Sequence, residues 1–130
     1  GKGAWCNNKR IRVSKRQDLT ECLIGTGAPF GKGIYSDYYK ELEKISMLTA
    51  GVRRLGAAAL DLAYVASGKI DGFWEKNLNL WDVSSGVLLV KEAGGRVTEP
   101  KGNNWTIKSR DILVSNTLIH EKLIENLTLL

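Results

Sequence analysis

Residues 57–95 read AAALDLAYVASGKIDGFWEKNLNLWDVSSGVLLVKEAGG, two glycine-terminated apolar runs joined by an extended segment. The first run is apolar around nearly its whole circumference, apart from Asp61 and the closing Ser67. A helix of that composition has to be buried on most sides. Gly68 supplies the left-handed position that ends it. Asp61 is costly in such a helix unless it is paired, and Arg53 and Arg54 are the nearby candidates. It reads as a paired scaffold carboxylate, with a perturbed active-site carboxylate as the alternative. KIDGFWE, residues 69–75, alternates Ile70, Gly72 and Trp74 with Asp71, Phe73 and Glu75, the period of a strand.

The second run predicts a helix of about three turns. With Asp82 at zero and about 100° per residue, Leu89, Ala93, Gly86, Val90, Val83 and Val87 share one arc. Lys91, Ser84, Glu92 and Ser85 lie opposite, Leu88 is the exception, and Gly94 and Gly95 end the helix. Gly86 weakens a helix by about 0.5–1 kcal/mol relative to alanine, which points to another backbone packed closely there. Asp82 stands where an N-cap would stand, accepting from the amides of Ser84 and Ser85. Its second oxygen remains free to meet a cation. One carboxylate does not make a magnesium site, because that ion takes six oxygen ligands.

Outward from this core, Tyr38, Tyr39, Leu42, Ile45 and Leu48 or Thr49 recur at helical steps after Ser36, the expected N-cap, and the tyrosines read as core. Residues 19–24 read as a buried strand running into the loop GTGAPFGKG. Its spacing is GxGxxxG and Pro29 interrupts it, so it does not support dinucleotide binding. Ile11 and Val13 alternate with Arg10, Arg12 and Ser14 as a half-buried strand does. Residues 96–98 and 112–114 read as strands, PKGNN as a loop, and residues 118–127 as an amphipathic helix. Strands alternating with helices give the α/β class.

With 43% apolar and 25% charged residues, the 130-residue chain has the makings of one globular core. No apolar run approaches the ~20 residues that span a bilayer. GKGAWCNN is unlike a secretory signal, so a soluble cytoplasmic protein without membrane contact is expected. Two cysteines sixteen positions apart and one histidine argue against a zinc site or a disulfide framework. The net charge of +5 comes partly from Lys9, Arg10, Arg12, Lys15 and Arg16. That cluster reads either as an attractor of phosphate-bearing partners or as a solvated strand edge. No aromatic residue interleaves with it as a base-stacking platform requires. The chain opens on Gly1 and strand-like pattern follows almost at once, so it is expected to begin inside a longer protein.

GVRRLGAAALDLAYVASGKIDGFWE followed by LWDVSSGVLLVKEAGG closely resembles the C-terminal signature of the inositol monophosphatase family, in particular its bacterial suppressor-type branch. GKGAWCNNKRIRVSK is similar to that family's G-x-G-A-x-x-N segment, and ILVSN at 112–116 to its last strand. The resemblance implies the C-terminal half of the family's fold, a central mostly parallel or mixed sheet flanked by helices. Residues 1–18 would be the tail of the N-terminal metal-binding domain and residues 19–130 the C-terminal α/β domain.

It further implies a magnesium-dependent, lithium-sensitive phosphomonoesterase acting on inositol monophosphate or a related sugar-alcohol phosphate, homodimeric at full length. By position, Asp82 matches a metal ligand and Glu75 the carboxylate that holds a substrate hydroxyl. Gly56, Ala57 and Ala58 match the helix start whose backbone faces the sugar alcohol. Without the resemblance, Gly56 reads as an N-cap and the alanines as close packing. The family's other metal ligands lie in segments that do not occur here, so no catalytic base is assigned and the chain alone is expected to be inactive. The rival reading is a suppressor-type protein acting non-catalytically with RNA polymerase or RNA in ribosomal RNA transcription.

Overall fold

The computed structural model describes residues 1–27 and 36–128. The loop around Pro29 and the side chain of Ser36, the expected cap, lie outside the described residues. β1 (Ala4–Cys6) and β2 (Lys9–Ile11) pair antiparallel. Asn7 and Asn8 turn between them at φ 50° and 65°, a conformation asparagine tolerates better than most residues. The expected strand ends at Ile11. Val13 has left it, and its N–H donates to Ala93 O at 3.1 Å. Lys9 and Arg10 lie exposed on β2, as the solvated-edge reading expects.

The main sheet follows the order β4–β3–β5–β7–β6, built from β3 (Leu23–Thr26), β4 (Gly51–Arg53), β5 (Gly72–Glu75), β6 (Arg96–Thr98) and β7 (Ile112–Ser115). β3 runs parallel to β4 and β5, while β7 is antiparallel to β5 and β6. The α/β, mixed-sheet expectation therefore holds. The strand expected over residues 19–24 is divided. Asp18 accepts from Thr20 N at 3.0 Å and caps a short 3₁₀ turn, Leu19–Glu21, before β3 begins.

Helices cover both faces. α2 (Ala58–Ala66) and α3 (Leu80–Glu92) lie on one side with Leu62, Val65, Phe73, Val87, Val90, Ile112 and Val114. α1 (Ser36–Leu48) and α4 (His120–Thr128) lie on the other with Ile24, Tyr38, Ile45, Trp74, Leu113 and Leu123. Phe73 and Trp74, adjacent on β5, thus enter opposite cores, as the strand period requires. Tyr38 is buried with its ring 6.4 Å from that of Trp74, but Tyr39 is 61% exposed. Only one tyrosine is core, because neighbours on a helix point about 100° apart.

The face expected for α3 is the one buried: Val83, Val87 and Val90 are inside and Leu88 is exposed. The close neighbour at Gly86 is a side chain, not a backbone. A Cβ there would stand 2.4 Å from Leu62 Cδ1, so the missing side chain lets α2 and α3 approach.

Asp71 buckles distant segments together just before β5. Its carboxylate accepts from Ser14 Oγ, from Arg16 Nη1 at 2.9 Å and from Leu23 N at 2.8 Å. Asn116 Nδ2 donates to Ser14 Oγ at 2.9 Å and to Arg16 O at 2.8 Å, fixing the same segment from the far side. Residues 14–16 are thereby anchored to the main sheet.

Candidate active site

The site begins with two glycines. Gly25 on β3 and Gly27 just beyond it are two residues apart and so face the same way. A Cβ on Gly25 would lie 2.5 Å from Asp61 Oδ1, and one on Gly27 would lie 1.5 Å from Glu75 Oε1. Neither distance is tolerable, so the bare backbone makes seats for two carboxyl groups. The GxG in this loop serves clearance.

Asp61 comes from the first turn of α2 and is 1% exposed. The expected pairing with Arg53 or Arg54 is not formed. No ion pair among the described residues reaches Asp61, and its Oδ1 has no hydrogen-bond partner. Arg53 Nη1 instead donates to Val52 O at 3.2 Å, while the exposed Arg54 stands at the rim of the site. The reason is directional: both arginines precede α2, and Asp61 Oδ1 is turned toward Gly25 of the sheet. Burial pushes its carboxyl up to about 7, with Glu75 adding a like-charge contribution. The paired-scaffold reading of Asp61 is therefore replaced by an unpaired buried acid.

Glu75 closes β5 and is half-buried. Burial likewise pushes it up to about 7, and Asp82 contributes through like charge. Two carboxyls that titrate near neutrality in one cleft mark a functional-site candidate.

α2 starts without a capping side chain. Its N-cap is Ala57, at φ −145° and ψ 118°, so Gly56 is not the cap. Gly56 instead takes φ +86°, a left-handed turn suited to glycine. Leu60 N and Asp61 N donate to Ala57 O, both at 3.1 Å. The amides before them belong to a helix end that neither of its alanines can cap, and such ends attract anions and hydroxyl oxygens.

Asp82 is not an N-cap either. α3 begins at Leu80 with Asn79 extended before it, and Asp82 N donates to Asn79 O at 3.0 Å. The helix starts earlier than the apolar period indicated, which moves Asp82 into the first turn. There it complements the helix dipole and stays exposed.

These elements meet around one cavity of about 580 Å³. Gly56, Ala57, Ala58, Glu75 and Asp82, the five residues expected from the sequence, all line it. Thr26, Gly27, Arg54 and Asp61 line it as well; the sequence reading assigned the first three to no site and held an active-site role for Asp61 only as the alternative. Asp61 had one overlooked signal: it follows Ala58 by three residues and so shares its side of the first turn. The carboxylates do not complete a metal centre, since no group of three His, Cys, Asp or Glu among the described residues could hold an ion. Asp82, exposed at the cavity, fits the part of one oxygen ligand.

Comparison with known proteins agrees with this architecture. The profile of the Inositol monophosphatase family matches residues 1–129. An inositol-1-monophosphatase of Caulobacter vibrioides is 46% identical over 130 residues, covering 98% of this chain and 51% of that protein. A putative Nus factor SuhB of Neisseria meningitidis is 49% identical over 117 residues, covering 89% of this chain and 45% of that protein. The crystal structure of the extragenic suppressor protein suhB from Bartonella henselae superposes with a TM-score of 0.92 at 46% identity, covering 98% of this chain and 49% of that one. The chain thus spans about half the length of the relatives it matches. With the profile matched along nearly its whole length, the chain belongs to the inositol monophosphatase family.

Proposed function

We propose that this chain forms the substrate-facing half of a magnesium-dependent inositol-1-monophosphatase, which hydrolyses a sugar-alcohol phosphomonoester to the alcohol and phosphate. The observation that carries the reading is the convergence of Asp82, Glu75 and the open start of α2 on one cavity. Glu75 holds a hydroxyl of the alcohol, and the Gly56, Ala57 and Ala58 backbone meets the same ring. Holding the alcohol in register with the phosphate lowers the barrier by orientation. Asp82 supplies one ligand to magnesium, whose other ligands belong to a part of the protein outside this chain. When bound, the ion supplies charge neutralisation at the phosphate and an acidified water. In this reading residues 1–18 are the tail of the N-terminal metal-binding domain and residues 19–130 the C-terminal domain. The complete protein is a lithium-sensitive homodimer of the cytoplasm.

Phosphate release from inositol 1-phosphate tests this directly. The complete protein turns the substrate over with magnesium, and the 130-residue chain alone does not. Turnover by the isolated chain would refute the division of ligands, and no turnover by the complete protein would refute the activity.

A second reading is favoured by the relatives named Nus factor SuhB and by an open groove bearing Arg12, Lys15 and Arg16. It is a non-catalytic role with RNA polymerase or RNA. Asp18 and Glu21 line the same groove, and Arg16 is held by Asp71, which weakens its pull on phosphate. Salt-sensitive RNA or polymerase binding that survives Asp82→Asn favours this reading. No helix among the described residues is long and apolar enough to cross a membrane.

A further inference from the structure

Glu75 stands at the loose end of its strand. The pairing of β3 with β5 stops at Thr26 and Trp74, so Glu75 has a ladder partner on one side alone, Ile112 of β7. Lys76 lies beyond both ladders. Trp74 enters the core beneath α1 and α4, while Glu75 lines the cavity on the other face of the sheet.

Glu41 of α1 grips the residues on both sides of Glu75. Its side chain is 2% exposed. Oε1 accepts from Trp74 Nε1 at 3.1 Å, and Oε2 meets Lys76 Nζ at 2.5 Å. Tyr38, three residues earlier on the same helical face, brings its ring to 6.4 Å from that of Trp74. Asn77 and Leu78 are tied elsewhere, their amides donating to Asp111 Oδ1 at 3.1 Å and to Arg110 O at 2.8 Å. The hold on the α1 side therefore comes from Glu41. Replacing a buried ion pair by apolar residues of similar volume is often neutral for stability, so the use of such a pair lies in the geometry it fixes. Here that geometry belongs to the residue between the two contacts.

We propose that Glu41 is a positioning residue for Glu75: from the far face of the sheet it sets the end of β5, and with it the place of the Glu75 carboxyl over Gly27. Its effect on substrate rests on the reading of Glu75 as the carboxylate that holds a hydroxyl of the alcohol.

Two variants of the complete protein test this. Glu41→Gln keeps an acceptor for Trp74 and loses the pairing with Lys76. Lys76→Met, at a part-exposed position, breaks the same link from its other end. Crystal structures of both are expected to show the Glu75 carboxyl displaced from its seat over Gly27. Each variant raises KM for inositol 1-phosphate about fivefold and keeps kcat, the mark of lost ground-state binding. Added to Glu75→Gln, Glu41→Gln raises KM no further, because a residue that acts through Glu75 has nothing left to place. A merely structural role would give the same loss in both backgrounds. A Glu75 carboxyl unmoved in both variants, or a full additional loss beside Glu75→Gln, overturns the role of Glu41. An unchanged KM in Glu75→Gln, or no turnover by the complete protein, refutes the hydroxyl reading of Glu75, and the two crystal structures then decide on Glu41.

Discussion

The Glu75 carboxyl occupies the volume that a side chain on Gly27 would need: a Cβ there would lie 1.5 Å from Oε1 and 2.2 Å from Cδ. Gly27→Ala is therefore expected to push Glu75 out of its seat while leaving the sheet, which ends one residue earlier, in place. Alcohol binding falls about tenfold in the complete protein, with the melting midpoint little changed. Equal losses of binding and stability would contradict this.

Asp61 makes stability depend on pH. Its folded carboxyl is raised from 3.8 to about 7, so the native state holds the proton more tightly than the unfolded chain does. Stability from this group is complete below about pH 4 and is lost as pH rises through about 7. Asp61→Asn removes the loss. The unfolding free energy is expected to match the parent near pH 4 and to exceed it at pH 8, by on the order of 4 kcal/mol.

His120 works in the opposite direction. Burial lowers it from 6.5 to about 4, with Arg96 adding to the effect. The unfolded chain takes the proton first, so this contribution is present above about pH 6.5 and is lost as pH falls toward 4. The tautomer follows from its partners. Thr98 Oγ1 gives its proton to Glu99 O and so accepts from Nε2 at 2.8 Å, while Ser115 Oγ donates to Nδ1 at 2.7 Å. Imidazole ¹⁵N shifts are expected to report a neutral Nε2–H ring at pH 6, and a charged ring there would refute it.

Gly86→Ala improves helix propensity by about 1 kcal/mol and is nevertheless expected to destabilise. The new methyl meets Leu62 Cδ1 at 2.4 Å and Cβ at 2.7 Å, across the packed α2–α3 contact. A net loss of about 1–2 kcal/mol is expected by denaturation. Gly86→Ala with Leu62→Ala recovers part of it if the clash is the cause.

Asp82→Asn separates fold from site. The side chain is exposed and caps nothing, so stability is expected to change by less than about 0.5 kcal/mol. Magnesium affinity of the complete protein drops about tenfold or more, because a neutral amide replaces a charged oxygen ligand. Unchanged affinity would remove Asp82 from the metal.

What the sequence made legible was local. Val83, Val87 and Val90 repeat at helical steps, and their burial matches that repeat. β1 and β4 are three residues each, too short to carry a period, and they exist because partners distant in the chain complete their hydrogen bonds. The Asp82 cap failed for a related reason: the start of α3 is set by the extended Asn79, which apolar spacing does not register. Gly56, Ala57, Ala58, Glu75 and Asp82 were found through resemblance and not periodicity. Asp61 was flagged by its cost in an apolar helix but given a partner it lacks, because its seat depends on Gly25, which only the folded sheet brings against it.

The Asp71 buckle bears on time as well as on structure. Its bonds close intervals of 48 to 57 residues, and Asn116 closes intervals of 100 and 102. Loops of that span lose the most chain entropy on closing, so the buckle is expected to form after the folding barrier. Asp71→Ala then accelerates unfolding while the refolding rate hardly changes. This joint is a brake on opening, and the lifetime of the folded chain, more than its speed of assembly, depends on it.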